Sequence, residues 1–227
     1  MERASPVRFM SHSSRKRRYG SAGSYRIFQF HVLPGAGNRG SFGHCTSSGE
    51  VPSMLCFAYG SNMSIRRLQA RVPESRFLTV GWLHRHRLVF HKRSREDHSA
   101  KCDALHTGDP GDWVLGVVYD IPDREKPILD RIEGLGNGYE EALIRPRTPE
   151  GDSLEARMYA ATDVDASLTP YSWYRAHVLI GARENAFPAD YVDRILRTPA
   201  QHDPDFARHQ NELAIYPEDV LPHGAVT

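Results

Sequence analysis

The chain carries only three cysteines, Cys45, Cys56 and Cys102, an odd number at wide spacing. That excludes a disulfide framework and a Cys-x-x-Cys metal or redox site, and it points to a reducing, cytoplasmic setting. No apolar run approaches the roughly 18 residues that a membrane-spanning helix needs, so no membrane partner is expected. Net charge is lacking as well: Lys+Arg 29 against Asp+Glu 28 leaves +1, too little to recruit nucleic acid through a global field. The familiar catalytic signatures are also missing. There is no G-x-S-x-G elbow, no P-loop, no H-E-x-x-H helix and no G-x-G-x-x-G between strand and helix.

What is present is 227 residues, 40% of them hydrophobic, enough for one domain with a core and extensions. The charge is unevenly spread. Residues 1–53 hold eight Lys and Arg against Glu2 and Glu50, a local +6 that leaves −5 for the rest. This leader is rich in Ser, Gly and Arg, with one apolar patch at 27–33, and cannot bury enough surface to offset its ordering entropy, so disorder is expected. Three readings stay open for it: a transit peptide, a nucleic-acid-binding arm through Arg15-Lys16-Arg17-Arg18, or sequence upstream of the true start. The last is favoured, because Met54 stands immediately before the first convincing strand.

From Met54 the pattern is of short strands with helices between them. Apolar or β-branched runs predict strands at 55–59, 77–82, 87–91, 103–107 and 113–119, and again at 139–147 and 154–161 across a Pro-Glu-Gly-Asp turn. Ser64 and Asp123 are placed to cap helices, the second ending at Glu133-Gly134. Thr169-Pro170 opens a helix to about Glu184, and Pro188 another. Most strand-to-strand spacings are too short for helical crossovers. The expected fold is therefore α+β and mostly antiparallel, a closed or partly closed β-barrel with helices packed outside, over residues 54–200. The tail 201–227, whose only apolar cluster is Leu213, Ile215 and Tyr216, either docks or frays.

Two glycine-bearing junctions each adjoin a polar residue that the fold does not need. At Tyr59-Gly60-Ser61-Asn62 a strand turns into a helix, which would expose consecutive backbone N–H groups to an anion or a developing oxyanion; a plain turn is the alternative. At Glu133-Gly134 a carboxylate sits at the negative end of its helix dipole, unfavourable by a few tenths to about 1 kcal/mol. A local rule broken without visible compensation marks a candidate site, although a solvated Glu reads the same way. His84, His86 and His91 could suggest a metal, with His84 and His86 on one strand face, but no carboxylate or Cys completes the set and a solvated basic face is preferred. The basic residues at 85–95 with Trp82 and Phe90 could form a nucleic-acid patch; the body's net −5 opposes it. No metal and no cofactor are expected.

Taken together, FAYGSNM at 57–63, LDRIEGLGNGY at 129–139 and GARENAFPADY at 181–191 resemble the γ-glutamylcyclotransferases in residue type and in order along the chain, from residue 54 to 196. WVLGVVY at 113–119 falls where that family has its central strand. The resemblance implies cleavage of a γ-glutamyl amide without water: the substrate's own α-amine closes on its γ-carbonyl, giving 5-oxoproline and an amino acid or amine. It implies Glu133 as general acid/base, the backbone of Gly60, Ser61 and Asn62 as cradle for carboxylate or oxyanion, Tyr59 on the wall, and Tyr159 facing the site. Tyr139 follows Gly138 directly, where some relatives place an aromatic one residue later; a one-residue shift changes the strand face, so Tyr139 is left out of the expected lining. The alternative is a non-catalytic module on the same fold that binds a small anionic ligand or partner. The leaving group stays open between amino acid, amine and carrier-linked forms, and so does the oligomeric state, with a homodimer allowed.

Overall fold

The computed structural model describes residues 51–222, so the basic leader up to residue 50, Cys45 and the last five residues lie outside the described residues. Strands β1 (Ser53–Ala58), β2 (Arg76–His84), β5 (Trp113–Pro122), β6 (Tyr139–Ile144) and β7 (Ala156–Ala161) form one five-stranded sheet. Its order is β2-β5-β1-β7-β6. Strands β3 (His86–Arg93) and β4 (Ala100–His106) form a separate two-stranded sheet. Helices α1 (Ile65–Gln69), α2 (Lys126–Glu133), α3 (Ser172–Glu184), α4 (Ala189–Arg197) and α5 (Phe206–Leu213) complete the architecture.

β5 runs apolar almost without alternation because it is internal to the sheet and covered on both faces: Val114, Leu115, Val117, Val118, Tyr119 and Ile121 are all buried. It pairs antiparallel with β1 on one side and β2 on the other. Among the described residues β1–β7 is the one parallel strand pairing, so the sheet is mixed. Between β2 and β3 stands Arg85 alone, in the left-handed region (φ 62), and there the chain leaves the large sheet for the small one.

The closed barrel expected from the strand spacing is not formed. β2 and β6 remain the edges of the large sheet, and they approach only through an isolated antiparallel bridge from Trp82 to Arg147, just past β6, with N–H to O distances of 2.9 Å in both directions. The neighbouring Pro146 has no N–H to give, so the bridge cannot grow into a ladder on that side. Ser64 occupies the expected cap position of α1, without a side-chain capping bond. Two other helix starts shift: α2 is led by Glu125 rather than Asp123, and α3 begins two residues past Pro170.

α3 is buried on most of its circumference, nine of its thirteen residues being buried. One side meets the short 3-10 turn Ser61–Met63 that follows β1: the Met63 carbonyl accepts from Tyr119 Oη at 2.7 Å and from Asn185 Nδ2 at 3.0 Å, which ties the turn to both the central strand and the end of α3. The tail is not loose up to residue 222. α5 packs with Leu213 and Tyr216 in the core, its start capped by Asp205 Oδ1 accepting from Arg208 N at 2.9 Å. No helix among the described residues is long and apolar enough to cross a membrane.

Candidate active site

β1 ends at Ala58, and the next four residues turn sharply. Met63 N–H donates to the Gly60 carbonyl at 3.0 Å, so the tight turn begins at Gly60 itself. Gly60 is needed here for closeness: a Cβ on it would stand 3.1 Å from Cys102 Cβ and 3.5 Å from the Tyr174 hydroxyl. α2 ends on Gly134, whose φ of +76 is the left-handed conformation that closes a helix, with Gly134 N–H bonded back to Asp130 and Arg131. That closure holds Glu133 on the final turn, facing the Gly60 turn.

The two junctions meet. Asn62 Nδ2 donates to Glu133 Oε1 at 2.8 Å, and Arg71 Nη1 donates to the same oxygen at 2.9 Å and to Asn62 Oδ1 at 3.0 Å. Glu133 Oε2 has no partner among the described residues. The site is thus not the purely apolar setting that a lone acid/base carboxyl suggests, since a guanidinium and an amide fix one carboxyl oxygen and leave the other open. Tyr59, Gly60, Ser61, Asn62, Glu133 and Tyr159 all line one narrow cavity. Among the described residues lining it, Glu133 is the single carboxyl group.

Aromatic rings build the wall. Tyr59 Oη donates to the Tyr159 carbonyl, and Tyr139 Oη donates to the Cys102 carbonyl at 2.6 Å. The Tyr174 hydroxyl accepts from Cys102 N–H at 3.0 Å. Tyr159 lines the cavity, but its hydroxyl is committed to Asp130 Oδ1 at 2.7 Å. Burial raises the phenols of Tyr59, Tyr139 and Tyr174 well above their ordinary range, so they stay protonated donors at neutral pH. Burial likewise pushes the Cys56 thiol up to about 12 and the Cys102 thiol higher, which makes both poor nucleophiles.

Sequence reasoning missed two members. Tyr139 does line the cavity, since its ring turns inward to reach Cys102. Arg71 carried no local signal: it lies past the end of α1, and only the fold brings it to Glu133. The histidines do not converge. His84 and His86 fall on two strands, broken by Arg85; Trp82 Nε1 donates to His84, while His91 pairs with Asp103 at 2.9 Å. Among the described residues no group of three or more His, Cys, Asp or Glu is placed to hold a metal ion.

A model of the AIG2-like family matches residues 113–195, which run from β5 into α4 and include Glu133 and Tyr159. A gamma-glutamylcyclotransferase of Mus musculus is 32% identical over 158 residues, spanning 67% of this chain and 81% of that protein. The gamma-glutamylcyclotransferase of Homo sapiens is 32% identical over 151 residues, with spans of 64% and 79%. A solved gamma-glutamyl cyclotransferase structure superposes with a TM-score of 0.61 at 28% identity, over 66% of this chain and 90% of that one.

Proposed function

Because this chain belongs to the γ-glutamylcyclotransferase family, we propose that it cyclises a γ-glutamyl amide to 5-oxoproline, releasing an amine or amino acid, with Glu133 as the general acid/base. The observation that carries this reading is the convergence of Asn62 and Arg71 on Glu133 Oε1, with Oε2 unpartnered at a tyrosine-walled cavity.

Attack is intramolecular, so holding the glutamyl chain folded in the narrow cavity supplies much of the barrier reduction. Glu133 Oε2 takes a proton from the substrate's α-ammonium. The freed amine attacks the γ-carbonyl carbon, a C–N bond forms, and the carbonyl oxygen becomes an oxyanion. Backbone N–H groups of the Gly60-Ser61-Asn62 turn stabilise that charge or hold the substrate α-carboxylate. The amide C–N bond then breaks as the Glu133 carboxyl returns its proton to the leaving nitrogen. The ring nitrogen sheds its second proton in the same collapse and the leaving amine carries it away as an ammonium, so both protons come from the substrate's α-ammonium and no water is consumed. Tyr59, Tyr139 and Tyr159 line the cavity with aromatic surface, which limits the room for water that would compete with the internal amine.

Glu133→Gln tests the assignment. Release of 5-oxoproline from γ-glutamyl-alanine and from γ-glutamyl amines is expected to fall by about 10²–10⁴ in kcat, the usual contribution of a positioned acid/base. Unchanged turnover would refute the role of Glu133. Binding of 5-oxoproline by the unaltered chain, with no product from any γ-glutamyl compound, would favour the non-catalytic binding module instead.

A further inference from the structure

A second cavity, of about 420 Å³, opens between the α1 region and α5. Arg71 stands at the boundary of the two. On one side its Nη1 holds Glu133 Oε1 and Asn62 Oδ1; on the other its side chain lines the second cavity. Its Nε and Nη2 donors make no hydrogen bond with any described residue. The other charges of the wall are already committed. Glu212 is taken by Arg67 at 2.7 Å, and Arg208 by Asp203 and Asp205. Arg67 lines the cavity too, is only 6% exposed, and keeps its Nε buried without a partner. Burial, followed by the adjacent Arg67 charge, lowers the Arg71 pKa from its ordinary value, so an additional anion beside it is favoured.

We propose that this cleft is the leaving-group subsite, where the carboxylate of a departing amino acid or peptide accepts from the unused Nε and Nη2 donors of Arg71. The inference rests on the cyclisation reading and names the half of the substrate that reading leaves open. With the γ-glutamyl chain in the tyrosine-walled cavity, the scissile nitrogen stands at Glu133, and whatever is attached to that nitrogen departs past Arg71. A guanidinium matches a carboxylate in a planar, paired geometry. An amine leaving group without a carboxylate offers it no acceptor of that kind. α5 supplies the far wall of this cleft, so the C-terminal helix takes part in substrate choice although it lies outside the region matched by the family model.

The test compares kcat/KM for 5-oxoproline release by the full chain from γ-glutamyl-alanine and from γ-glutamyl-ethylamine, which differ only by the carboxylate. The alanine substrate is expected to be favoured by about tenfold or more. Arg67→Ala would strand Glu212 and His177 in the interior, so the cleft is probed from exposed positions one turn apart on α5, with Asn211→Asp and Ala207→Glu. Each places a competing carboxylate in the cleft, and each is expected to cut the alanine-to-ethylamine ratio about tenfold, through KM. Equal kcat/KM for the two substrates, or a ratio that neither variant moves, overturns the subsite while leaving cyclisation intact. Release from neither substrate refutes the cyclisation reading and the subsite with it.

Discussion

Glu133 closes α2 at the end where the helix dipole disfavours a negative charge, and its compensation comes from 62 residues away, through Arg71. The residue was legible in the sequence as an anomaly; the guanidinium that resolves the anomaly was not, because nothing in the local pattern links it to α2. Gly60 shows the converse. Its place in a turn was legible, but what a side chain there would crowd, the Cys102 Cβ at 3.1 Å, is supplied by β4. Gly60→Ala is therefore expected to destabilise the chain by about 1–3 kcal/mol, the range for overpacking a close contact, read as a lower denaturation midpoint. The same substitution shifts the turn that carries Asn62, so 5-oxoproline release is expected to fall with it.

At the level of elements, α5 is the piece that pattern reading passed over. Its eight residues are mostly polar, Phe206 is 61% exposed, and the one signal the sequence offered for this tail was the apolar cluster of Leu213, Ile215 and Tyr216. The helix is held by partners on other elements. Arg67 Nη1 donates to His177 Nε2 at 2.8 Å and to Glu212 Oε2 at 2.7 Å, and His177 Nδ1 lies 2.9 Å from the Tyr216 hydroxyl. Burial, then the Arg67 charge, depresses His177 from 6.5 to about 3. Burial alone would raise Glu212, but the His177 contact and the Arg67 charge hold it down to about 2, from 4.5. Both folded pKa values lie below their unfolded values, so the unfolded chain takes up protons first and acid destabilises the fold. Stability from His177 is complete above pH 6.5 and is lost as pH falls toward 3; that from Glu212 is complete above 4.5 and is lost toward 2. Denaturation midpoints measured across this range should decline with acid, and His177→Gln should flatten the decline between pH 6.5 and 4.5, where His177 acts without Glu212.

For the molecule as a whole, the strand content and the mainly antiparallel pairing follow from the short spacings, whereas the open mixed sheet does not. Which strand lies beside which is a matter of long-range pairing, and the parallel neighbours β1 and β7 are separated by the whole stretch from Tyr59 to Glu155. The tail packs into the same hydrophobic core as the sheet through Leu213 and Tyr216. A chain ending after Ala200 would remove Leu213 and Tyr216 from the core and expose His177, costing about 3 kcal/mol or more from apolar burial alone. A fall of about 6–12 °C in thermal midpoint is the expected reading for a chain of this size.

By itself the sequence determined most of the elements through α4, the order of the three motifs and the two junctions, because periodicity, caps and glycine positions are local properties of the chain. Tertiary structure alone decided that the junctions touch, that Arg71 orients Glu133, that Tyr139 faces inward, that the sheet stays open, and that α5 walls a second cleft. Each of these depends on groups far apart in sequence brought within hydrogen-bond or van der Waals distance, and no local pattern encodes such a meeting.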